Sequence, residues 1–193
     1  YDDAEFLLES CVELHPDYWL ARLDYVTVLH KRQRYKKALE QALYLREHYP
    51  ENYVFELTYA NQSVAVGNFD EALEIYDRVI VEHPDFSQTY VSRGHALKTV
   101  GRVDEGVESY QSGYRARPDY GDAYWSLANL KTYRFTDAEI AEMRRLVERP
   151  ETATEDRFHL FFALGKALED REQFEESFAC YERGNALRRS GLR

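Results

Sequence analysis

The side chains able to carry chemistry in this sequence are few and scattered. Cys11 and Cys180 stand near opposite ends of the chain, with no Cys-x-x-Cys pair and no Cys/His cluster at metal-ligand spacing. Neither a disulfide staple nor a structural zinc site is expected from that pattern. His15, His48 and His83 lie beside prolines in separate segments. An imidazolium there suits the C-terminal end of a helix dipole, and the three cannot converge on one metal. Glu169 and Asp170, close to Lys166, and the pair Glu175–Glu176 are neighbours along a helix. Acid–base catalysis needs carboxylates that face each other with their pKa values pushed apart, which adjacent helical residues do not provide. Lys31, Arg32, Arg34, Lys36 and Lys37 form a basic cluster that reads as an anion patch or, more simply, as a solvated turn. Gly-x-Gly-x-x-Gly and the P-loop pattern are both absent, and no Ser/His/Asp or Cys/His set can be assembled. The sequence predicts no catalytic, cofactor-binding or metal-ligating residue.

Composition narrows the function classes further. The 193 residues carry a formal net charge of −10, which disfavours both nucleic-acid phosphates and an anionic membrane surface as partners. Hydrophobic residues at 44% are too many for a disordered chain, and no apolar run approaches the roughly 20 residues that span a bilayer. No signal-peptide pattern opens the chain. Two thiols in a helical protein suggest a reducing compartment, so a cytoplasmic location is expected.

The elements that position these residues are announced by proline. Pro16, Pro50, Pro84 and Pro118 recur every 34 residues, each followed by an acid: Asp17, Glu51, Asp85 and Asp119. Proline ends one helix, and the acid suits the start of the next. Twelve residues before each proline stands a small residue (Ala4, Ala38, Ala72, Gly106), and three before that a bulky one (Tyr1, Tyr35, Phe69, Val103). A second small series, Ala60, Gly94 and Ala128, keeps the same period, and Gly67 and Gly101 share a turn position where a left-handed residue can end a helix. Small residues let paired helices approach closely. A 34-residue helix–turn–helix period resembles the tetratricopeptide family over nearly the whole chain. The resemblance implies an all-α, right-handed superhelical solenoid of antiparallel helix pairs.

The expected organisation is a half repeat at 1–14, then helix pairs at about 17–49, 51–83, 85–117, 119–149 and 154–189. Residues 190–193 read as the start of a connection to a further C-terminal part. A lone half repeat leaves an apolar flank uncovered, so the natural protein is expected to extend before Tyr1. Repeat one departs from the pattern at Val26 and Gln33. Pro150 follows Pro118 by only 32 residues, so two residues are missing from the hairpin around 133–135. Later, Ser177 takes the small position five residues late, which puts extra residues in a loop at 151–154.

Two segments carry a closer resemblance. Tyr124-Trp-Ser-Leu-Ala-Asn-Leu-Lys-Thr-Tyr-Arg-Phe-Thr-Asp-Ala-Glu-Ile140 holds the shortened hairpin, and Phe161-Phe-Ala-Leu-Gly-Lys-Ala-Leu-Glu-Asp170 runs on to Gly184-Asn-Ala-Leu-Arg-Arg189. Together they look like the last repeats of bacterial proteins that join tetratricopeptide repeats to a C-terminal sulfotransferase domain. That implies sulfuryl transfer from 3′-phosphoadenosine-5′-phosphosulfate (PAPS) by the following domain, with no cofactor held by these residues.

In such arrays the first helix of each pair lines a concave face. Spacing i, i+3, i+7, i+11 selects Leu20, Leu23, Thr27 and Lys31; Val54, Leu57, Asn61 and Ala65; and Gln88, Val91, His95 and Thr99. The last two pairs contribute Asp122, Trp125, Asn129 and Tyr133, then His159, Phe162, Lys166 and Asp170. The candidate interface residues are Asn61, His95, Trp125, Asn129, Tyr133, His159, Phe162 and Lys166. Amides there could bond an extended peptide, with apolar side chains beside them. The alternative is that the row packs on a neighbouring domain, and the aromatic end at Trp125, Tyr133 and Phe162 suits cover by a following catalytic domain. Leu23, Thr27, Ser92 and Ser126 stand where some chaperone-binding relatives clamp a C-terminal carboxylate, so that activity is not expected. The implied partners are a protein or extended peptide and a catalytic domain of the same chain, with neither nucleic acid nor membrane. A protein-interaction scaffold would then act by raising the local concentration of acceptor at the enzyme. A stand-alone adaptor is the alternative.

Overall fold

A computed structural model describes residues 2–190, and among them there are eleven helices and no strand. The chain divides into two compact units. The first comprises α1 to α5 together with 99–101, and the second comprises 84–98 and α7 to α11.

In the first unit α1 (Asp2–Leu14), α2 (Trp19–Lys31), α3 (Tyr35–His48), α4 (Tyr53–Val66) and α5 (Phe69–Glu82) pack each against the next. The loops that hold Pro16 and Pro50 separate α1 from α2 and α3 from α4, as proline's missing N–H requires. Within a pair, a different device reverses the chain. Gly67 sits at φ 94°, and Asn68 N–H reaches back to the Ser63 carbonyl at 2.8 Å, the bond that closes a left-handed helix C-terminus. Gln33 makes the same turn at φ 59°, with Arg34 N–H on the Leu29 carbonyl at 2.9 Å. The small residues sit where helices meet: Ala38, Ala42, Ala60 and Ala72 are all fully buried.

In the second unit α6 (Ser87–Thr99), all but its last residue, is followed by α7 (Val103–Ala116), α8 (Gly121–Ala128), α9 (Asp137–Glu148), α10 (Thr154–Glu169) and α11 (Phe174–Ser190). One apolar core joins Tyr110, Tyr124, Leu127, Met143, Leu146, Leu160, Phe161 and Leu164. Two glycines lie beneath tyrosine rings of the partner helix. A side-chain carbon on Gly94 would stand 2.5 Å from Tyr110 Cε1, and one on Gly165 2.9 Å from Tyr181 Cε1. Ser177 is buried and donates to the Gly165 carbonyl at 2.8 Å, so its hydroxyl is satisfied at a position that elsewhere holds alanine or glycine.

The shortened repeat has its own geometry. Helix α8 has only eight residues, and a loop over 129–136 replaces its expected last turns. Lys131 turns at φ 60°, Arg134 Nη1 donates to the Lys131 and Tyr133 carbonyls, and Phe135 drops into the core at 6% exposure. Thr136 then opens α9 with a capping box, its side chain and that of Glu139 bonding each other's backbone N–H.

Candidate functional site

The structure distributes the eight interface candidates between both units. Asn61 lies in the first unit on α4, half-buried, and its Oδ1 accepts from Tyr76 Oη at 2.6 Å. Tyr76 is 1% exposed, and a buried hydroxyl hydrogen without an acceptor is costly, so this bond fixes which way the amide faces. Its Nδ2 donors are thereby turned away from Tyr76.

The other seven belong to the second unit. His95 on α6 repeats the Asn61 arrangement: Tyr110 Oη lies 2.8 Å from Nδ1, with the rings edge-on at 5.3 Å. The residue is exposed overall, but desolvation of its ring against Tyr110 pushes its pKa down, Asp122 pulls it up and Lys98 pushes it down again, with a net lowering. Trp125 and Phe162 do come together, their ring centroids 5.5 Å apart across α8 and α10. Both are half-buried. Phe162 also serves its own hairpin, because a side-chain carbon on Gly184 of α11 would stand 3.1 Å from its ring. Trp125 packs in part against the apolar core of the unit as well, so a substitution at either ring needs the helical signal read beside binding.

Asn129 and Tyr133 do not lie on the helical row that the spacing i+7 and i+11 assumed. Helix α8 ends at Ala128, so Asn129 is its exposed C-terminal cap and Tyr133 sits in the loop. Tyr133 instead donates to Glu139 Oε1 at 2.6 Å and accepts from Gln111 at 2.9 Å. Burial and the neighbouring Glu139 carboxylate push its phenol up to about 12. Tyr114 donates to the same Oε1 at 2.9 Å, so Glu139 is a hub that anchors the loop to α7 and α9. Lys166 is bonded to Asp170 one turn on, and Arg134 Nη1 approaches Asp170 Oδ2 at 3.4 Å, so this end of α10 is an ion-pair cluster.

His159 lies near the start of α10 and lines a cavity of about 380 Å³ with Gln88, Tyr120, Asp122, Glu155 and Asp156. Arg117 forms the remaining charged wall, held by Asp119 at 3.2 Å and by Asp156. Gln88, Asp122 and His159 are the leading members of three successive rows read from the sequence. Tyr120, Glu155 and Asp156 were not among the candidates. An acid in a helix's first turn reads as a dipole complement, and nothing in the sequence signals that two such turns face one cavity.

Within the basic cluster Arg32, Arg34 and Lys37 meet carboxylates of α1, while Lys31, Arg34 and Lys36 are exposed. Arg32 and Arg34 pair with Glu5, at 2.5 and 3.2 Å, Arg32 also pairs with Asp2, and Lys37 bonds Glu9 at 2.5 Å. These pairs tie α1 to the α2–α3 turn. His48 stacks on Tyr44 at 3.7 Å and His83 on Tyr53 at 4.0 Å. Among the described residues no group of His, Cys, Asp and Glu is arranged to hold a metal ion, and no helix is long and apolar enough to cross a membrane.

No protein-family model matches the chain, and no curated protein matches it. Solved structures do. The chain is similar to a crystal structure of MamA, with a TM-score of 0.56 and 13% identity over 86% of this chain and 96% of that one. A second MamA structure gives 0.54 and 17% identity over 98% and 90%. Yeast Tom70 gives 0.70 and 14% identity, covering 95% of this chain and 39% of Tom70. All are tetratricopeptide-type helical-repeat proteins. At these identities the likeness establishes the fold, an all-α array of tetratricopeptide-type helix pairs.

Proposed function

We propose that these residues form a non-catalytic protein-interaction scaffold that takes an extended peptide along the first helices of its pairs. The observation that carries this reading is the shared cavity: Gln88, Asp122 and His159 come from three successive first helices and line one concavity. The half-exposed Trp125 on α8 and its Phe162 neighbour on α10 add an apolar anchor of the kind that fixes a peptide in register. The net charge of −10 favours a protein ligand over nucleic acid or an anionic membrane, and the two free thiols favour the cytoplasm.

The finer reading is that the scaffold orients a protein substrate for a PAPS-dependent sulfotransferase domain of the same protein. What supports it is the resemblance of 124–140 and 161–189 to the last repeats of tetratricopeptide–sulfotransferase fusions. A reading frame that continues past Arg193 into a strand and a Gly/Ser/Thr-rich phosphate loop would bear it out. A stop codon, or further repeats, would leave a stand-alone adaptor.

The scaffold reading is tested with Trp125→Ala. Peptides retained by the chain from a degenerate library should bind the variant at least about 30-fold more weakly, the loss of about 2 kcal/mol typical of a buried aromatic anchor. The helical circular dichroism signal should be unchanged. Unaltered binding would remove Trp125 from the interface, and loss of the helical signal would place it in the core.

A further inference from the structure

We infer that the cavity at the starts of α8 and α10 is a subsite for one basic side chain, lysine or arginine, of the bound peptide. The inference rests on the scaffold reading above and gives its ligand a chemistry.

Volume sets the scale of the occupant. About 380 Å³ lies at the small end of ligand sites, which run from about 300 to 1,000 Å³, so one long side chain fits with room to spare. Charge sets its sign. Three carboxylates, Asp122, Glu155 and Asp156, face one guanidinium, that of Arg117. Arg117 is already matched, bonded to Asp156 and to Asp119, and it lies 4.5 Å over the Tyr120 ring. Asp156 spends its other oxygen on the Gly121 N–H at 3.0 Å. Asp122 and Glu155 are left over. Among the described residues neither makes an ion pair or a hydrogen bond.

The remaining walls do not supply the missing positive charge. His159 is held below its ordinary pKa mainly by burial, against the pull of Asp122, Glu155 and Asp156 and with a smaller push from Arg188. Its Nδ1 is enclosed and has no hydrogen-bond partner. Gln88 is neutral and exposed. Helix dipoles account for acids in the first turns of α8 and α10. They do not account for a cavity between those turns at which, among the described residues, Asp122 and Glu155 have no ion-pair partner. A lysine ammonium or arginine guanidinium entering there would meet Asp122 and Glu155 as acceptors, with the Gln88 side-chain oxygen available beside them. Its methylene stem would lie along Tyr120.

The test uses a ten-residue degenerate peptide library in which one central position is fixed in turn as lysine, arginine, citrulline, leucine or glutamate. Citrulline keeps the shape of arginine without its charge. The expected result is at least tenfold more retention of the lysine and arginine pools than of the citrulline pool. Asp122→Asn with Glu155→Gln should remove that preference, while residual retention and the helical signal persist. Equal retention of arginine and citrulline pools overturns the subsite and leaves the scaffold reading standing. A basic preference that survives the double substitution also overturns it, because the site then lies elsewhere. If the chain retains no pool at all, the subsite and the scaffold reading fall together.

Discussion

Gly121 shows how little room the second unit leaves at the start of α8. A side-chain carbon there would run into the backbone carbonyl of Asp156, whose side chain in turn caps the Gly121 N–H. Two effects of opposite sign meet at this residue. Intrinsic helix propensity favours alanine over glycine by about 1 kcal/mol. The close approach of two backbones costs more, because neither can retreat without moving its helix, and overpacking typically costs about 1–3 kcal/mol. Gly121→Ala is therefore expected to lower the urea midpoint, and a raised midpoint would show that propensity wins and that α8 and α10 are not in tight contact. Neither partner was legible in the sequence. Gly121 falls outside the periodic small series, and Asp156 lies 35 residues further on. Gln33, by contrast, was visible as a departure from glycine. It makes the same turn at φ 59° with the same backbone bond.

At the scale of elements the shortened repeat is the instructive one. The count between Pro118 and Pro150 predicted a missing pair of residues but not that α8 would stop after eight. Its last turns are replaced because the loop finds better partners: Phe135 fills the core, and Tyr133 and Tyr114 both reach Glu139. Burial raises the Glu139 pKa, but the Tyr133 and Tyr114 hydroxyls and the Thr136 backbone and side chain outweigh it, and the net shift is downward. Its carboxylate thus binds its proton less readily folded than unfolded. The stability it contributes is complete above the ordinary glutamate value of about 4.3 and is lost as pH falls through the lower folded value. Glu139→Gln should accordingly lower the melting temperature most near neutrality, with the gap to the native protein closing as pH drops below about 4. A gap independent of pH would mean that the loop is held by packing and not by the carboxylate. The same loop explains why Asn129 and Tyr133 were misplaced on a helical row: the i+7 and i+11 rule holds only where the helix continues.

For the molecule as a whole, the 34-residue period made the fold class readable because it is written in backbone constraints. Proline in the loops, left-handed turns at Gly67 and Gly101, and buried small residues at Ala38 and Ala72 follow from local geometry. The division into two compact units left no such mark, because the period runs through 84–118 without a break. The candidate site was half readable: Trp125 and Phe162 stand together as ring neighbours, but the cavity lined by Gln88, Asp122 and His159 needed residues from three helix pairs that only folding assembles. Two apolar surfaces of the second unit can be weighed against each other as the binding face. One is the first-helix face around Trp125. The other is the outer side of α11, where Phe174 and Phe178 are 63% and 69% exposed. Photo-crosslinking decides between them, using a library-selected peptide that carries a benzophenone side chain, with the labelled residues mapped by mass spectrometry. The scaffold account predicts labels on α6, α8 and α10, clustered around Trp125, while labels confined to α7, α9 or the Phe174–Phe178 side of α11 would contradict it.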